Sequence, residues 1–210
     1  MNILVCTFNE ESKSLPTLAD IGSQVIFERR WDEPYISRDP DTLTNSISLR
    51  FKYVEHSFPI LSEDMVSSLA KFLGKYEIVV ELACGEGWLT YWVNKYRADT
   101  IIECVDDKSW ERHKNHLQNV IKGCAVEYVR NSPDVNLYVL SWPYMDTMAF
   151  DIWKAMRKGQ ELLYIGEDYG GCTASDEFFE AVGGCEVEHT VEHHKSFYGI
   201  HDHISLFKKG

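Results

Sequence analysis

Val79-Val-Glu-Leu-Ala-Cys-Gly-Glu-Gly-Trp-Leu89 is the stretch of sequence that decides the fold. It continues a short apolar run that begins at Glu77, of the kind found in buried strands of parallel sheets. Gly85 and Gly87 follow, and glycine lets a backbone turn tightly and approach a ligand closely. Because apolar residues recur at helical spacing after the turn, we predict a strand, a glycine turn and a helix in succession.

Strand and helix patterns alternate on both sides of this turn from residue 61 onward. Ser62 is the candidate N-cap of a preceding helix, which Gly74 ends. The further runs with strand character are residues 100–105, 126–129, 136–140 and 161–165, with a closing pair near 185–193 and 203–207. This alternation predicts an α/β fold: a mostly parallel, Rossmann-like seven-stranded sheet with helices on both faces and an antiparallel C-terminal hairpin.

The segment before this pattern, residues 1–60, is irregular and rich in turn-forming residues. A chain of 210 residues suits one domain with an extension better than two domains. We therefore expect residues 61–210 to form the domain and residues 1–60 to form a lid. A partner-binding surface is the alternative for that segment.

The composition limits the binding partners and the cellular compartment that we expect for this protein. The net charge of −12 repels a phosphate backbone, which disfavours duplex nucleic acid, and it is compatible with a cationic cofactor or substrate. The six cysteines form no C-x-x-C pair, which indicates reduced thiols. The sequence shows neither a signal peptide nor an apolar run of about 18 residues, so we expect a cytoplasmic protein without a membrane span.

Polar residues follow the first three predicted strands, where open α/β sheets bind ligands. Glu81 would face a cationic amino group of the ligand. Asp106 would accept hydrogen bonds from both ribose hydroxyls of a nucleoside, and Asp107 would make a second contact or cap the next helix. Asn131 and the adjacent Ser132 would contact the amino edge of adenine.

The glycine turn departs from a dinucleotide fingerprint at Thr90, where a third small residue is needed to pack the helix on the sheet. This departure disfavours a nicotinamide cofactor. A glycine turn that binds nothing is the remaining structural alternative, since fold alone does not imply function.

The stretch from Val79 to Leu89, together with Asp106 and the strand order, resembles the class I S-adenosylmethionine-dependent methyltransferases over residues 61–210. Ala83 stands where that family most often has glycine. The resemblance implies S-adenosylmethionine as cofactor, adenosine across the strand ends and a last strand antiparallel to the fifth. The predicted cofactor-binding residues are Glu81, Ala83, Cys84, Gly85, Gly87, Asp106, Asp107, Asn131 and Ser141.

A narrower resemblance rests on Leu140-Ser-Trp-Pro-Tyr144 and on residues 53–60 and 164–173, which are similar to a group of uncharacterised methyltransferase-like proteins. Ser141-Trp-Pro-Tyr144 is also similar to the (Asp/Asn/Ser)-Pro-Pro-aromatic motif of amino-group methyltransferases, with Trp142 in place of the first proline. That likeness implies that Ser141 and the carbonyl region of Pro143 orient a target nitrogen, with Trp142 or Tyr144 as a stacking platform. The alternative is a strand-end turn with buried aromatic rings.

Two further groups of side chains follow later strands. Glu167 would deprotonate the acceptor or pair with a cationic one, or else cap the Gly170-Gly171 loop. Facing histidines on the last strand suit zinc, but no cysteine or carboxylate spacing supports a site, so we expect no metal. The five late histidines are His189, His193, His194, His201 and His203.

The sequence therefore predicts an S-adenosylmethionine-dependent methyltransferase that acts on a small molecule or an amino nitrogen. The predicted partners are S-adenosylmethionine, S-adenosylhomocysteine and this small acceptor. The alternative is a non-catalytic protein that binds the cofactor in order to sense or sequester it.

Overall fold

The computed structural model describes Leu15, Phe58, Pro59 and residues 61–96, 102–109, 120–194 and 201–210. Helices and strands alternate along these residues, as the sequence predicts. In chain order the elements are α1 (Glu63–Leu73), β1 (Val79–Leu82), α2 (Trp88–Tyr96), β2 (Glu103–Asp106), β3 (Val120–Lys122), α3 (Ala125–Asn131), β4 (Leu137–Ser141), α4 (Met148–Ala155), β5 (Glu161–Gly166), α5 (Asp176–Val182), β6 (Glu186–Val187) and β7 (His203–Lys208).

The strands form one seven-stranded sheet in the order β3-β2-β1-β4-β5-β7-β6. The first five pair in parallel, whereas β7 runs antiparallel to both β5 and β6. The predicted α/β fold is confirmed, including the last strand inserted beside the fifth. Because β1 lies between β2 and β4, its carboxyl end is the switch point where such sheets bind ligands.

Side chains alternate between the two faces of the sheet and pack on helices at each face. On one face, Val79 and Leu137 pack with α1 and α2. On the other, Val80 and Tyr138 pack with α3, α4 and α5. The predicted first helix begins at its cap, because Ser62 Oγ accepts the backbone N–H of Met65 over 3.1 Å.

The third strand was predicted in the wrong place. Residues 126–129 belong to helix α3, and the strand is Val120–Lys122. Val126 and Val129 suit either element, but Ala125 and Val129 are buried together at the four-residue spacing of a helix face. The spacing of Trp110, Lys114, Leu117 and Ile121 predicts a helix before this strand. Ile121 instead lies in β3, and residues 110–117 lie outside the described residues.

Three residues of the predicted lid are described. Leu15 is buried in the core cluster that contains α1 and α2. Phe58 stacks on Trp142, with ring centroids 5.2 Å apart and ring planes 17° from parallel. Among the described helices, none is long and apolar enough to cross a membrane.

Candidate functional site

A cleft of about 650 Å³ opens at the carboxyl ends of β1, β2 and β4. Its volume lies within the range of small-molecule sites. Most of the predicted site residues line it, and Phe58 and Pro59 contribute one wall. The predicted residues along the cleft are Glu81, Ala83, Cys84, Gly85, Asp106, Asp107, Ser141, Trp142, Pro143 and Tyr144.

The turn after β1 requires three residues in the left-handed region. Their φ angles are 51° at Ala83, 58° at Gly85 and 74° at Gly87. Glycine adopts this conformation freely, whereas an L-residue pays about 1–2 kcal/mol. Ala83 therefore holds a conformation that glycine would adopt more easily. The turn closes where Gly87 N–H donates to the carbonyl of Cys84 over 3.0 Å.

Asp106 connects β2 to this turn. Its Oδ2 accepts the backbone N–H of Gly85 over 2.9 Å, and its Oδ1 accepts that of Lys108 over 2.7 Å. A carboxylate has about four acceptor positions, so both oxygens retain capacity for ligand hydroxyls. Asp107 is exposed, and its Oδ1 accepts the N–H of Ser109. The hydrogen bonds from Ser109 hold the pKa of Asp107 below its usual value.

Glu81 is 4% exposed and lies at the floor of the cleft. Its Oε2 accepts both the backbone N–H and the hydroxyl of Thr90, whereas Oε1 makes no hydrogen bond to any described residue. Burial raises the pKa of Glu81 to about 7, the Thr90 hydrogen bonds oppose that rise, and the charge of Asp106 adds to it. A cationic ligand group at Oε1 would favour the ionised form.

Cys84 also lines the cleft, as an unbridged thiol. A hydrogen bond with Cys104 and burial both raise the pKa of Cys84. Because the thiolate is the nucleophilic form, this side chain is an inert wall of the cleft.

Ser141 ends β4, and its hydroxyl makes no hydrogen bond within the described part of the chain. Trp142 follows with a φ of 51°, which is a genuine outlier for a bulky residue. Its backbone N–H donates to the carbonyl of Ile165 over 2.7 Å. Its indole Nε1–H donates to Asp202 Oδ2 over 3.0 Å, and Phe58 covers the ring. Strain held by so many contacts is typical of functional sites.

Asp202 was missed by the sequence analysis. It precedes β7, is 6% exposed, and its Oδ1 lies 3.4 Å from His194 Nε2. Sixty residues separate Asp202 from Trp142, and no local pattern marks the pair. The antiparallel insertion of β7 beside β5 brings them together.

Tyr144 stands at the rim of the cleft with 56% of its surface exposed. Its backbone carbonyl accepts the N–H of Ala174 over 3.1 Å, which anchors the loop while the ring points outward. Partial burial raises the pKa of Tyr144, and the charges of Asp106, Asp107 and Asp146 raise it further. Carboxylates from β2 and from the loop after β4 thus converge on this ring.

Glu167, predicted to be catalytic, is not among the described residues that line the cleft. It is 6% exposed, Oε2 accepts the N–H of Cys172 over 2.7 Å, and Oε1 accepts that of His201 over 2.9 Å. Both oxygens therefore hold backbone segments together. This matches the alternative in which Glu167 caps the Gly170-Gly171 loop.

Asn131, predicted to contact adenine, is also not among the described residues that line the cleft. Because β3 ends at Lys122, the residues that follow the strand are Cys124, Ala125 and Val126, and all three line the cleft. Asn131 lies at the opposite end of α3, about 10 Å along a helix of seven residues. Sequence analysis also missed Glu86 and Asp146, which line the cleft directly beside predicted site residues.

Within the described residues, no group of three or more histidine, cysteine or acidic side chains is placed to hold a metal ion. His189 and His194 instead contact backbone carbonyls, those of Ile204 and Asp202. His203 lies 3.1 Å from the carboxylate of Asp168.

No protein-family model matches the chain, and no curated protein matches its sequence. Among solved structures it is similar to the mitomycin 7-O-methyltransferase, at 13% identity, 82% of this chain covered and a TM-score of 0.47. It is also similar to human N-acetylserotonin methyltransferase in complex with S-adenosylmethionine, at 14% identity, 83% coverage and a TM-score of 0.48.

A third similar structure is the N,N-8-amino-8-demethyl-D-riboflavin dimethyltransferase from Streptomyces davawensis, at 12% identity, 83% coverage and a TM-score of 0.47. The chain spans 59% of the length of the first of these three proteins and 60% of each of the other two. The assignment of the fold rests on the strand order and pairing of this chain itself.

Proposed function

We propose that the protein is an S-adenosylmethionine-dependent methyltransferase that acts on a small molecule or an amino nitrogen. One observation carries the proposal: the cleft lies at the switch point of the sheet, between the left-handed turn after β1 and the carboxylate of Asp106. In this fold a nucleoside occupies that position, and the volume of about 650 Å³ accommodates one together with a small acceptor.

The side chains of the cleft fit the parts of this cofactor. Glu81 Oε1 would bind the cationic amino group, and the spare acceptor positions of Asp106 would bind the ribose hydroxyls. The residues after β3 would line the adenine, since Ala125 and Val126 offer apolar contact there. The bound cofactor supplies an electrophilic methyl group on a sulfonium sulfur.

Ser141 Oγ, at the end of β4, would accept a hydrogen bond from an N–H of the acceptor and so direct the nitrogen lone pair at that methyl group. The oriented nitrogen would take the methyl group, sulfur would keep the electron pair of the broken C–S bond, and the nitrogen would then lose a proton to water. Orientation of this kind lowers the barrier by removing rotational freedom before the reaction. Trp142 and Tyr144 offer aromatic surfaces beside Ser141 for a planar acceptor.

Titration calorimetry with S-adenosylmethionine and S-adenosylhomocysteine tests cofactor binding. We expect binding in the micromolar range, and no binding of either compound at millimolar concentration would defeat the proposal.

Transfer of a radiolabelled methyl group to a panel of small amines and phenols tests catalysis. Ser141→Ala should reduce transfer to an amine by about 10- to 100-fold while leaving cofactor affinity within about twofold. Ser132→Ala, outside the cleft, is the matched control. Cofactor binding without transfer to any acceptor would favour the sensing or sequestering alternative.

A further inference from the structure

Carboxylates dominate the charge of the cleft. Six line it, and none of the described residues that line it is a lysine, arginine or histidine. Five come from three neighbouring strand ends and the loops that follow them, and the sixth comes from helix α4. The six are Glu81, Glu86, Asp106, Asp107, Asp146 and Asp151.

Two of the six contribute less than a full unpaired charge. Asp151 forms an ion pair with Lys154 over 2.9 Å. Glu81, with a pKa raised by burial to about 7, is partly protonated at neutral pH. The remaining four form no ion pair with a described cation, although the charge of Lys122 acts on Asp107 at longer range. The charges of Asp106, Asp107 and Asp146 all raise the pKa of Tyr144. The field at the acceptor end of the cleft is therefore negative.

An independent feature points to a cationic ligand. Glu81 is 4% exposed and faces the cleft, yet its Oε1 has no hydrogen-bond partner among the described residues. A carboxylate so largely withdrawn from solvent is costly unless hydrogen bonds or a cation stabilise it, and the two hydrogen bonds from Thr90 meet only one of its oxygens. A ligand with a positive group at the floor of the cleft satisfies it.

We propose that the cleft discriminates by charge, binding the sulfonium form of the cofactor more tightly than the neutral thioether product. The inference rests on the proposed function. S-adenosylmethionine carries one more positive charge than S-adenosylhomocysteine. In the proposed binding mode that charge, on the sulfonium sulfur, faces the acceptor end of the cleft near Ser141, where the carboxylates lie. Attraction over several ångströms in a solvent-exposed cleft is modest for each carboxylate but adds over several of them. Transfer of the methyl group removes the charge, so the spent cofactor leaves and inhibits weakly.

Calorimetry on the full chain measures the discrimination. The probes are S-adenosylmethionine, S-adenosylhomocysteine and sinefungin, an analogue that carries a protonated amine in place of the sulfonium. At about 20 mM ionic strength we expect S-adenosylmethionine and sinefungin to bind about tenfold more tightly than S-adenosylhomocysteine. At about 0.5 M salt the ratio should fall to about two- to threefold, because salt screens exposed charges.

Two variants show which carboxylates cause the difference in affinity. Asp107→Asn and Asp146→Asn should each lower the low-salt ratio about twofold. Asp134→Asn removes an exposed carboxylate at the opposite edge of the sheet, before β4, and should leave the ratio unchanged.

The outcomes separate the inference from the proposed function. Tighter or equal binding of S-adenosylhomocysteine at low salt, or sinefungin binding as weakly as S-adenosylhomocysteine, would overturn charge discrimination and leave the methyltransferase proposal standing. Absence of binding by all three compounds would overturn both.

Discussion

Asp106 Oδ2 accepts the backbone N–H of Gly85 over 2.9 Å, so the carboxylate expected to bind ribose also holds the glycine turn in place. The turn and the end of β2 therefore form one unit. A change at Asp106 should affect both the stability of the turn and the affinity for a nucleoside.

Asp106→Asn tests this double role. Asparagine keeps one acceptor oxygen of two and loses the charge, so we expect about a tenfold loss of S-adenosylmethionine affinity and a loss of about 1–2 kcal/mol in the free energy of unfolding. Calorimetry and urea denaturation measure the two effects. Asp107→Asn, at the exposed neighbour, should cost less than about 0.5 kcal/mol, and an equal loss of stability in both variants would contradict the bracing role of Asp106.

Ala83 tests the backbone requirement of the turn. Ala83→Gly should leave the free energy of unfolding within about 1 kcal/mol of the wild type, because relief of the left-handed conformation offsets the greater freedom of glycine in the unfolded chain. Ala83→Val places a β-branched residue at a φ of 51° and should cost about 2 kcal/mol or more. Equal stability of the two variants in urea denaturation would show that the turn does not adopt this conformation.

Glu81 should make the stability of the fold depend on pH. Its raised pKa means that the folded state holds a proton that the unfolded state releases, so this stabilising contribution is full below about pH 4.5 and is lost as pH rises through about 7. The loss amounts to about 3 kcal/mol. Glu81→Gln should flatten this part of the stability profile.

Cofactor affinity should change with pH in the opposite sense, because a cationic amino group binds the ionised form of Glu81. We expect S-adenosylmethionine to bind more tightly as pH rises from about 5.5 to about 7.5, and to lose this dependence in Glu81→Gln. An unchanged pH profile of affinity in the variant would remove Glu81 from the binding site.

Glu167→Gln tests the structural role of Glu167. Loss of one charged acceptor for two backbone amides should cost about 2 kcal/mol in the free energy of unfolding and change cofactor affinity by less than about twofold. Asp168→Asn, at the exposed neighbour that contacts His203, should change stability by less than about 0.5 kcal/mol. A stable Glu167→Gln protein that binds cofactor but transfers no methyl group would support the predicted catalytic role instead.

The hydrogen bond between Trp142 and Asp202 should appear as a coupling in a double-mutant cycle. For Trp142→Phe combined with Asp202→Ala, we expect a coupling of about 1–2 kcal/mol in urea denaturation. Asp202→Ala combined with Trp153→Phe should show none, since Trp153 packs on Phe207. Equal couplings in the two cycles would mean that the contact contributes nothing specific.

The sequence predicted the features that neighbouring residues determine. The apolar run and the two glycines form a local pattern, and the structure places Gly85 and Asp106 at one cleft. The third strand was misplaced because a run containing Val126 and Val129 suits a strand or a helix equally until its packing is known. The predicted adenine contact at Asn131 followed from that placement of the strand, and Asn131 does not line the cleft.

Long-range contacts account for the rest. Asp202 reaches Trp142 only through the insertion of β7, and the hydrogen bonds of Glu167 depend on where His201 lies. Tryptophan has no preference for the left-handed conformation that Trp142 adopts, and the surrounding contacts impose it. Neither a propensity nor a spacing rule detects such features.

A crystal structure with S-adenosylhomocysteine tests the central claim most directly. The account predicts the ribose hydroxyls on Asp106, the amino group within hydrogen-bonding distance of Glu81 Oε1, and the sulfur facing Ser141. A structure in which side chains fill the turn after β1, or in which the nucleoside binds away from Asp106, would contradict it.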